Sequence, residues 1–498
     1  MEPRQLKLAF ADSPPGGGED ARADALARAT KLLRTARARR LRDSGVDVAD
    51  ASQLMNQIAD RYNLLAALDR VVGNRGAPGP DRQNVEEVLL HREELLPQVQ
   101  AALLAGTYQP GDIRRVWIPK PDGSQRGLGI PNVIDRWVQQ AVYQVLSPLY
   151  EPTFHDSSHG FRPGRGPQTA IAEARRHVGD GRTIVVDIDL EKFFDRVNHQ
   201  RLLARLGQRI KDARVLKLIG RMLKAKVVLP DGTRDSSEEG TPQGGPLSPL
   251  LSNIVLDELD QELARRGLRF VRYADDCNIY VRSQRAGERV LASIRRFLET
   301  RLRLQVNERK SRVTTPQETH FLGFRLIPRD EEEPRIDLSR RTKERMAQKI
   351  VELTPRNWGG SLAYCMERIN SYLRGWMGYF RICSTGVASR LQAFDAHIRR
   401  RLRAIVVKQR KRPRSLYRHL RQRNVGDKTA KQSAYSYRGP WYKSISSGMH
   451  RAYPNAWFAE RLVSLVDQWL KFNPPPKSAQ TQKRLFGDLN TDSKEPDV

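Results

Sequence analysis

Three features of the sequence predict an α+β fold. Short apolar runs that carry acids, at residues 184–190 and in the pair 270–273 and 279–281, have the length and β-branched content of strands. Longer stretches with helical spacing of apolar residues separate and surround them. From about residue 333 the strand patterns give way to helical, basic and aromatic sequence. At 498 residues, and roughly 100–200 residues per domain, about three domains are expected.

Charge narrows the class of partner. The chain has 87 Lys and Arg against 57 Asp and Glu, a net charge of +30. Such an excess on a folded chain points to a polyanion, nucleic acid before an anionic membrane. No apolar run approaches the roughly 18 residues of a membrane span, and Met1 to Phe10 lacks the apolar segment of a signal peptide. No membrane partner is therefore expected. Cys277, Cys365 and Cys383 are widely spaced, which suggests neither a zinc ribbon nor a disulfide framework. A reducing, cytoplasmic or nucleoid-associated setting fits.

Residues 1–50 read as a basic leader, with Pro14 to Gly18 marking disorder and 21–42 forming a helix with a positive face. Residues 51–113 are expected to be an N-terminal extension with helices at 54–72 and 85–104 around a Gly/Pro loop. Residues 114–131 read as a hairpin turning at Pro121-Asp122-Gly123. It carries Lys120 and Arg126, cations suited to a triphosphate or a template backbone. A helix at 135–149 precedes the basic loop Gly160-Phe161-Arg162-Pro163-Gly164-Arg165-Gly166, and a helix at 169–178 follows it.

The run from Thr183 to Leu190 reads as a buried strand ending in acid, with Asp187 and Asp189 on one face by the two-residue period. An acid there needs a partner, commonly a metal, or else caps the next helix. Further helices are expected at 202–223, 250–265 and 286–301, with a short strand at 321–324. The Gly/Pro loop Gly240-Thr241-Pro242-Gln243-Gly244-Gly245-Pro246 leaves backbone bare for close approach by a base or sugar. Asp275 and Asp276 sit at the bend of a strand–turn–strand pattern. Adjacent carboxylates repel unless a cation lies between them, so a divalent metal is the expected companion. Two metals held by such carboxylates would support in-line phosphoryl transfer.

Together these blocks resemble the group II intron-encoded reverse transcriptases, or maturases, of bacterial type. The resemblance runs from about Leu54 to about Trp469. Its blocks are Ile118 to Gly123, Gly160 to Arg165, Asp187 to Asp195, Gly240 to Pro249, Tyr273-Ala274-Asp275-Asp276, Asn307 to Ser311 and Phe321 to Phe324, in the family's order. It implies a right-hand polymerase fold: fingers and palm with an antiparallel palm sheet over 114–330, then a helical thumb and maturase domain over 331–470. It also implies RNA-directed DNA synthesis with two Mg2+ ions, an RNA template, a DNA primer and deoxynucleoside triphosphates. Asp189 and Asp275 would bridge the metals and Asp276 would complete the acidic site. Asp189 is preferred to Asp187 because the family's aromatic sugar gate follows the catalytic Asp by five positions, which makes Phe194 the gate. Lys120 and Arg126 would hold the triphosphate, Gln243 and Gly244 would border the nucleotide, and Lys310 would protonate pyrophosphate. Gly127 and His159 depart from the family's usual Pro and Tyr.

Residues 399–423 contain 12 Lys/Arg and no acid. With Leu402, Ile405, Val406 and Gln409 turned inward, Arg399, Arg400, Arg401, Arg403, Lys408, Arg410, Lys411 and Arg412 would form an RNA-binding stripe. The parent intron RNA is the expected partner, in splicing and mobility. Residues 471–498 are expected to be a disordered tail. The last histidine is His450 and no Cys follows Cys383, so the family's C-terminal nuclease is not expected. Alternatives are a domesticated relative acting in DNA repair, phage defence or CRISPR spacer acquisition, and an RNA-binding splicing cofactor with a vestigial polymerase.

Overall fold

A computed structural model describes residues 26–33, 52–119, 123, 125–235, 239–240, 244–330 and 332–474. Lys120, Gln243, most of the basic leader and the tail beyond 474 lie outside the described residues. The chain divides into two compact units. One comprises the described residues up to Ala170 together with Ile184–Val313, and the other Ile171–Thr183 with the described residues from Thr314.

In the first unit, helices surround two four-stranded sheets. Strands β1 (Ile113–Pro119) and β2 (Gln125–Ile130) form the expected hairpin, with Ile118 opposite Arg126. β3 (Ile184–Ile188) is the acid-bearing strand. β4 (Val227–Val228) runs parallel to β1 and pairs with β5 (Arg234–Asp235), giving the sheet order β2-β1-β4-β5. The second sheet adds β6 (Arg269–Tyr273), β7 (Asp276–Val281) and β8 (Arg312–Thr314) in the order β6-β7-β3-β8. Val185, Val186, Ile188, Phe270 and Ile279 bury the sheet in the core. The helix Val133–Tyr150 crosses that core, where the Trp137 indole N–H donates to Leu64 O at 2.7 Å.

Several helices expected as single rods are broken by caps. Asp60 accepts hydrogen bonds from the Tyr62 and Asn63 amides, so 54–72 becomes Leu54–Ile58 and Arg61–Gly73. Asp212 likewise separates His199–Arg209 from Ala213–Leu223, and its second oxygen accepts from Met55 N at 2.9 Å. An Asp outside a helix satisfies N–H groups that an unbroken helix would pair internally. The expected strand at 321–324 is a turn. Leu322 and Gly323 both have positive φ, and Phe321 and Phe324 pair across them. The strand itself is β9 (Phe324–Ile327), paired with β10 (Arg335–Leu338) in the second unit.

The rest of the second unit is helical. Helices Arg340–Leu353 and Leu362–Phe380 open it. Helix Ala388–Gln409 is buried on every side from Arg401 to Val407. Asp395, pushed up to about 6 by burial, accepts hydrogen bonds from Ser464 Oγ and the Leu465 and Val466 amides, which ties the last helix to it. That helix, Leu465–Phe472, takes Lys471 and Phe472 out of the expected tail; Trp469 anchors it, donating to Cys383 O at 2.9 Å. No helix among the described residues is long and apolar enough to cross a membrane.

Candidate active site

The β6–β7 hairpin closes through two residues, Ala274 and Asp275, because Tyr273 pairs directly with Asp276. Two-residue hairpin loops demand positive φ at one or both central positions. Ala274 meets that demand with φ of 57°, a conformation that disfavours a side chain by roughly 1–2 kcal/mol. The turn gives Asp275 and Asp276 separate directions at one end of the sheet. β3 runs antiparallel to β7, with Asp187 opposite Asn278 and Ile188 opposite Cys277. Continuing that register by one residue sets Asp189 opposite Asp276. Asp187, Asp189, Asp276 and Asn278 then share a face.

Beyond β3 the backbone of Asp189 is held on both sides. Its N–H donates to Ser311 Oγ at 3.0 Å and its carbonyl accepts from Asn307 N at 2.9 Å. The same Asn307-to-Ser311 loop brings Lys310 Nζ to 3.8 Å from the Asp189 carboxylate.

A buried arginine that the sequence did not single out braces the strained turn. Arg272 and Asp260 are completely buried. Arg272 Nε and Nη2 grip the two oxygens of Asp260 at 2.7 and 2.5 Å. Nη1 donates to Ala274 O at 2.9 Å and to Asn253 Oδ1 at 3.0 Å, and Nη2 to Ser158 Oγ at 2.7 Å. Asn253 in turn donates to Gly160 O at 2.9 Å. One guanidinium thus joins the turn, the helix Ser248–Arg265 and the basic Gly-rich loop. Gly160 is required because a Cβ there would collide with the Ala274 amide. His159 is a packing residue in the same loop, with Nδ1 2.9 Å from Thr169 Oγ1.

The acidic end gathers like charge. Asp276 reaches solvent, yet the protein around it and the charges of Asp275, Asp187 and Asp189 push its carboxyl up to about 7, against a smaller opposing pull from Lys310. Both amide atoms of Asn278 are buried without a hydrogen-bond partner on that face. Among the described residues, no three Asp, Glu, His or Cys side chains are gathered closely enough to hold a metal as arranged. The donor chemistry nevertheless fits a hard cation, which prefers carboxylate oxygen and would relieve the crowding that raises Asp276.

A cavity of about 590 Å³ lies in the same unit, with Arg126, Arg136, Gln140, Phe161, Phe194 and Gly244 on its wall. Three of the residues expected at the nucleotide, Arg126, Phe194 and Gly244, therefore meet at one cavity, while the carboxylates are not among its lining. Gly244 has φ of 132° and packs its bare Cα against Gly129 O of β2. Arg136 and Gln140 are additions from the helix Val133–Tyr150. Arg136 Nη2 donates to Ala77 O at 2.8 Å, which fastens the N-terminal Gly/Pro loop to the cavity wall.

Comparison with known proteins identifies the family. Residues 118–326 match the family described as reverse transcriptase (RNA-dependent DNA polymerase), and residues 343–424 match the group II intron maturase-specific domain. The protein YkfC of Escherichia coli K12 is 32% identical over 359 residues, covering 64% of this chain and 92% of YkfC. The group II intron reverse transcriptases and maturases are the family to which this chain belongs. The group II intron-encoded protein LtrA of Lactococcus lactis subsp. cremoris is 40% identical over 181 residues, which span 36% of this chain and 30% of LtrA. A chain of a solved partial Cas6-RT-Cas1–Cas2 complex is 26% identical with a TM-score of 0.32, covering 50% of this chain and 42% of that one. The enzyme is an RNA-directed DNA polymerase of mixed α/β architecture with a helical C-terminal region.

In the reverse transcriptase's C-terminal unit, the basic stripe differs from its expected form. Arg401 is buried, with Nε and Nη2 each 2.6 Å from Thr354, at Oγ1 and O respectively. Arg403 is buried as well and donates to Tyr453 O at 3.1 Å. Both are internal braces, because a buried guanidinium must satisfy its donors with protein acceptors. Arg400 packs over the Trp441 ring at 4.1 Å, and Arg399 is half-buried. Gln409, expected inward, is exposed and donates to Trp358 O and Gly360 O. Lys408, Arg410, Lys411 and Arg412 are exposed at the helix end, and the next helix, Pro413–Gln422, continues the surface with Arg414, Arg418 and Arg421.

Proposed function

We propose that Asp189, Asp275 and Asp276 form the catalytic centre at which this reverse transcriptase copies RNA into DNA. The observation that carries the reading is the convergence of β3 and the β6–β7 turn, which brings acids remote in sequence to one end of one sheet. Asp189, Asp275 and Asp276 would hold two Mg2+ ions. Bound there, the metals supply a lowered pKa for the primer 3′-hydroxyl and charge neutralisation at the leaving pyrophosphate. Lys310 reaches across the Asp189 side and offers an ammonium proton to that pyrophosphate. Phe194 excludes a ribose 2′-hydroxyl at the cavity wall, beside Gly244 and the phosphate-holding Arg126. Lys120 and Gln243 have the corresponding roles by resemblance.

Within this reading the first unit comprises fingers and palm, and the C-terminal helices serve as thumb and maturase domain. The surface of Lys408, Arg410, Lys411 and Arg412 binds the phosphates of the parent intron RNA. The polymerase assignment is tested by primer extension on an RNA template with Mg2+. Asp275→Ala with Asp276→Ala should abolish extension while the thermal transition stays intact. Full retained activity would remove these carboxylates from the mechanism.

A further inference from the structure

Beyond residue 424, where the second family match ends, the C-terminal unit exposes a group of tyrosines. Among the described residues, Tyr435, Tyr437 and Tyr442 are 56, 94 and 50% exposed, in a chain that buries most of its large apolar side chains. They cluster at the connection between helices Asp427–Tyr435 and Pro440–Lys443. The connection is braced: Lys443 Nζ reaches back to Ala434 O at 2.8 Å, and Ser436 Oγ accepts from Arg438 N at 3.3 Å. Tyr437 stands at its tip. Tyr442 is already capped on one side by Arg438, whose guanidinium lies 3.9 Å from the ring centroid. Trp441 is similarly flanked by Arg400 at 4.1 Å and Arg356 at 5.0 Å.

Electrostatics select the partner. Residues 428–459 contain Lys428, Lys431, Arg438, Lys443 and Arg451 and no Asp or Glu; the one nearby acid, Asp427 at the start of the same helix, is paired with Lys431 at 2.9 Å. Exposed aromatic rings interleaved with cations suit a ligand that has both π-faces and negative charge. A duplex hides its base faces, so the matching ligand is an unpaired strand. From this we infer that Tyr435, Tyr437 and Tyr442, with Arg438, form a stacking site for unpaired bases of RNA. Its rings add stacking to the phosphate-directed surface that begins at Lys408 to Arg412, since Tyr435 lies 6.2 Å, centroid to centroid, from Tyr417 of the helix that continues that surface. The choice of RNA rests on the polymerase and maturase reading above.

The test uses the full chain and measures binding of a short unpaired RNA and of a blunt RNA duplex, with primer extension followed in parallel. Tyr437→Ala with Tyr442→Ala should weaken binding of the unpaired RNA by about ten-fold. Duplex affinity, salt dependence and thermal stability should not change. Tyr437→Phe with Tyr442→Phe should restore binding, since the ring rather than the hydroxyl does the stacking. Unchanged single-strand affinity, equal loss on the duplex, or tighter binding of unpaired DNA than of RNA would each overturn the inference. Failure of the polymerase reading would show separately, as absent primer extension by the unaltered protein.

Discussion

Arg272→Met would remove the guanidinium that braces the Ala274–Asp275 turn while keeping side-chain bulk. Asp260 would remain as a buried charge without its partner, a change that destabilises by about 3–5 kcal/mol in known cases. Ala274 O, Asn253 Oδ1 and Ser158 Oγ would also lose their donor. An orphaned buried acceptor costs about 1–3 kcal/mol, although such losses do not add when they share one donor. The expected loss is therefore near the top of the ion-pair range, about 5 kcal/mol, comparable with the whole stability of many domains. Urea unfolding should show a midpoint lowered by about 2 M if the slope is about 2–3 kcal/mol/M. Arg272→Met combined with Asp260→Leu should recover much of the stability, because no buried charge remains. It should not recover full primer extension, because the Ala274 carbonyl still lacks its donor. A loss below about 1 kcal/mol for Arg272→Met would refute the assignment of this pair as a dry, fully desolvated brace.

Other outcomes follow from the same structure. Gly244→Ala forces a side chain into φ of 132° against Gly129 O, so it should cost about 1–3 kcal/mol locally and raise the KM for deoxynucleotides in primer extension. Replacing Lys408, Arg410, Lys411 and Arg412 by Gln should flatten the salt dependence of RNA binding by about 0.7–0.9 in log–log slope for each phosphate no longer neutralised, with no change in melting. Arg401→Gln or Arg403→Gln should do the reverse, lowering the melting temperature of the C-terminal unit because buried hydrogen bonds disappear. Asp395 binds its proton more readily in the folded state, where its carboxyl lies at about 6 against an ordinary 3.8. Its contribution to stability is therefore complete below about pH 4 and lost as pH rises through about 6, an amount of about 3 kcal/mol. Comparing denaturation of the unaltered protein and Asp395→Asn between these pH values isolates it; parallel curves would refute the assignment.

The acidic hairpin, the acid-ending strand and the β1–β2 hairpin were legible because their signals are local. Turn chemistry, the two-residue strand period and helical spacing all act over a few neighbouring residues. The family resemblance, rather than a local signal, set Phe194 and Gly244 beside the nucleotide, and both line the cavity. Helix breaks were less legible. Asp60 and Asp212 sit inside continuous apolar patterns, and periodicity alone does not distinguish a surface Asp from a cap. The turn at Leu322 and Gly323 was hidden by the apolar residues around it.

Composition and motif order by themselves pointed to a polyanion partner and to the carboxylates proposed above as the acidic site. Only the tertiary structure decided what each cation does. Arg272, two residues from the turn carbonyl it holds, becomes a brace because Asp260 and Asn253 of one helix and Ser158 of a distant loop meet it. Arg401 and Arg403 lie in the same basic run as Lys408 and Arg410, yet they point into Thr354 and Tyr453 while the latter pair faces solvent. An arginine's charge is written in the sequence, but its role is set by the acceptors within reach of its guanidinium, and long-range packing brings those acceptors there.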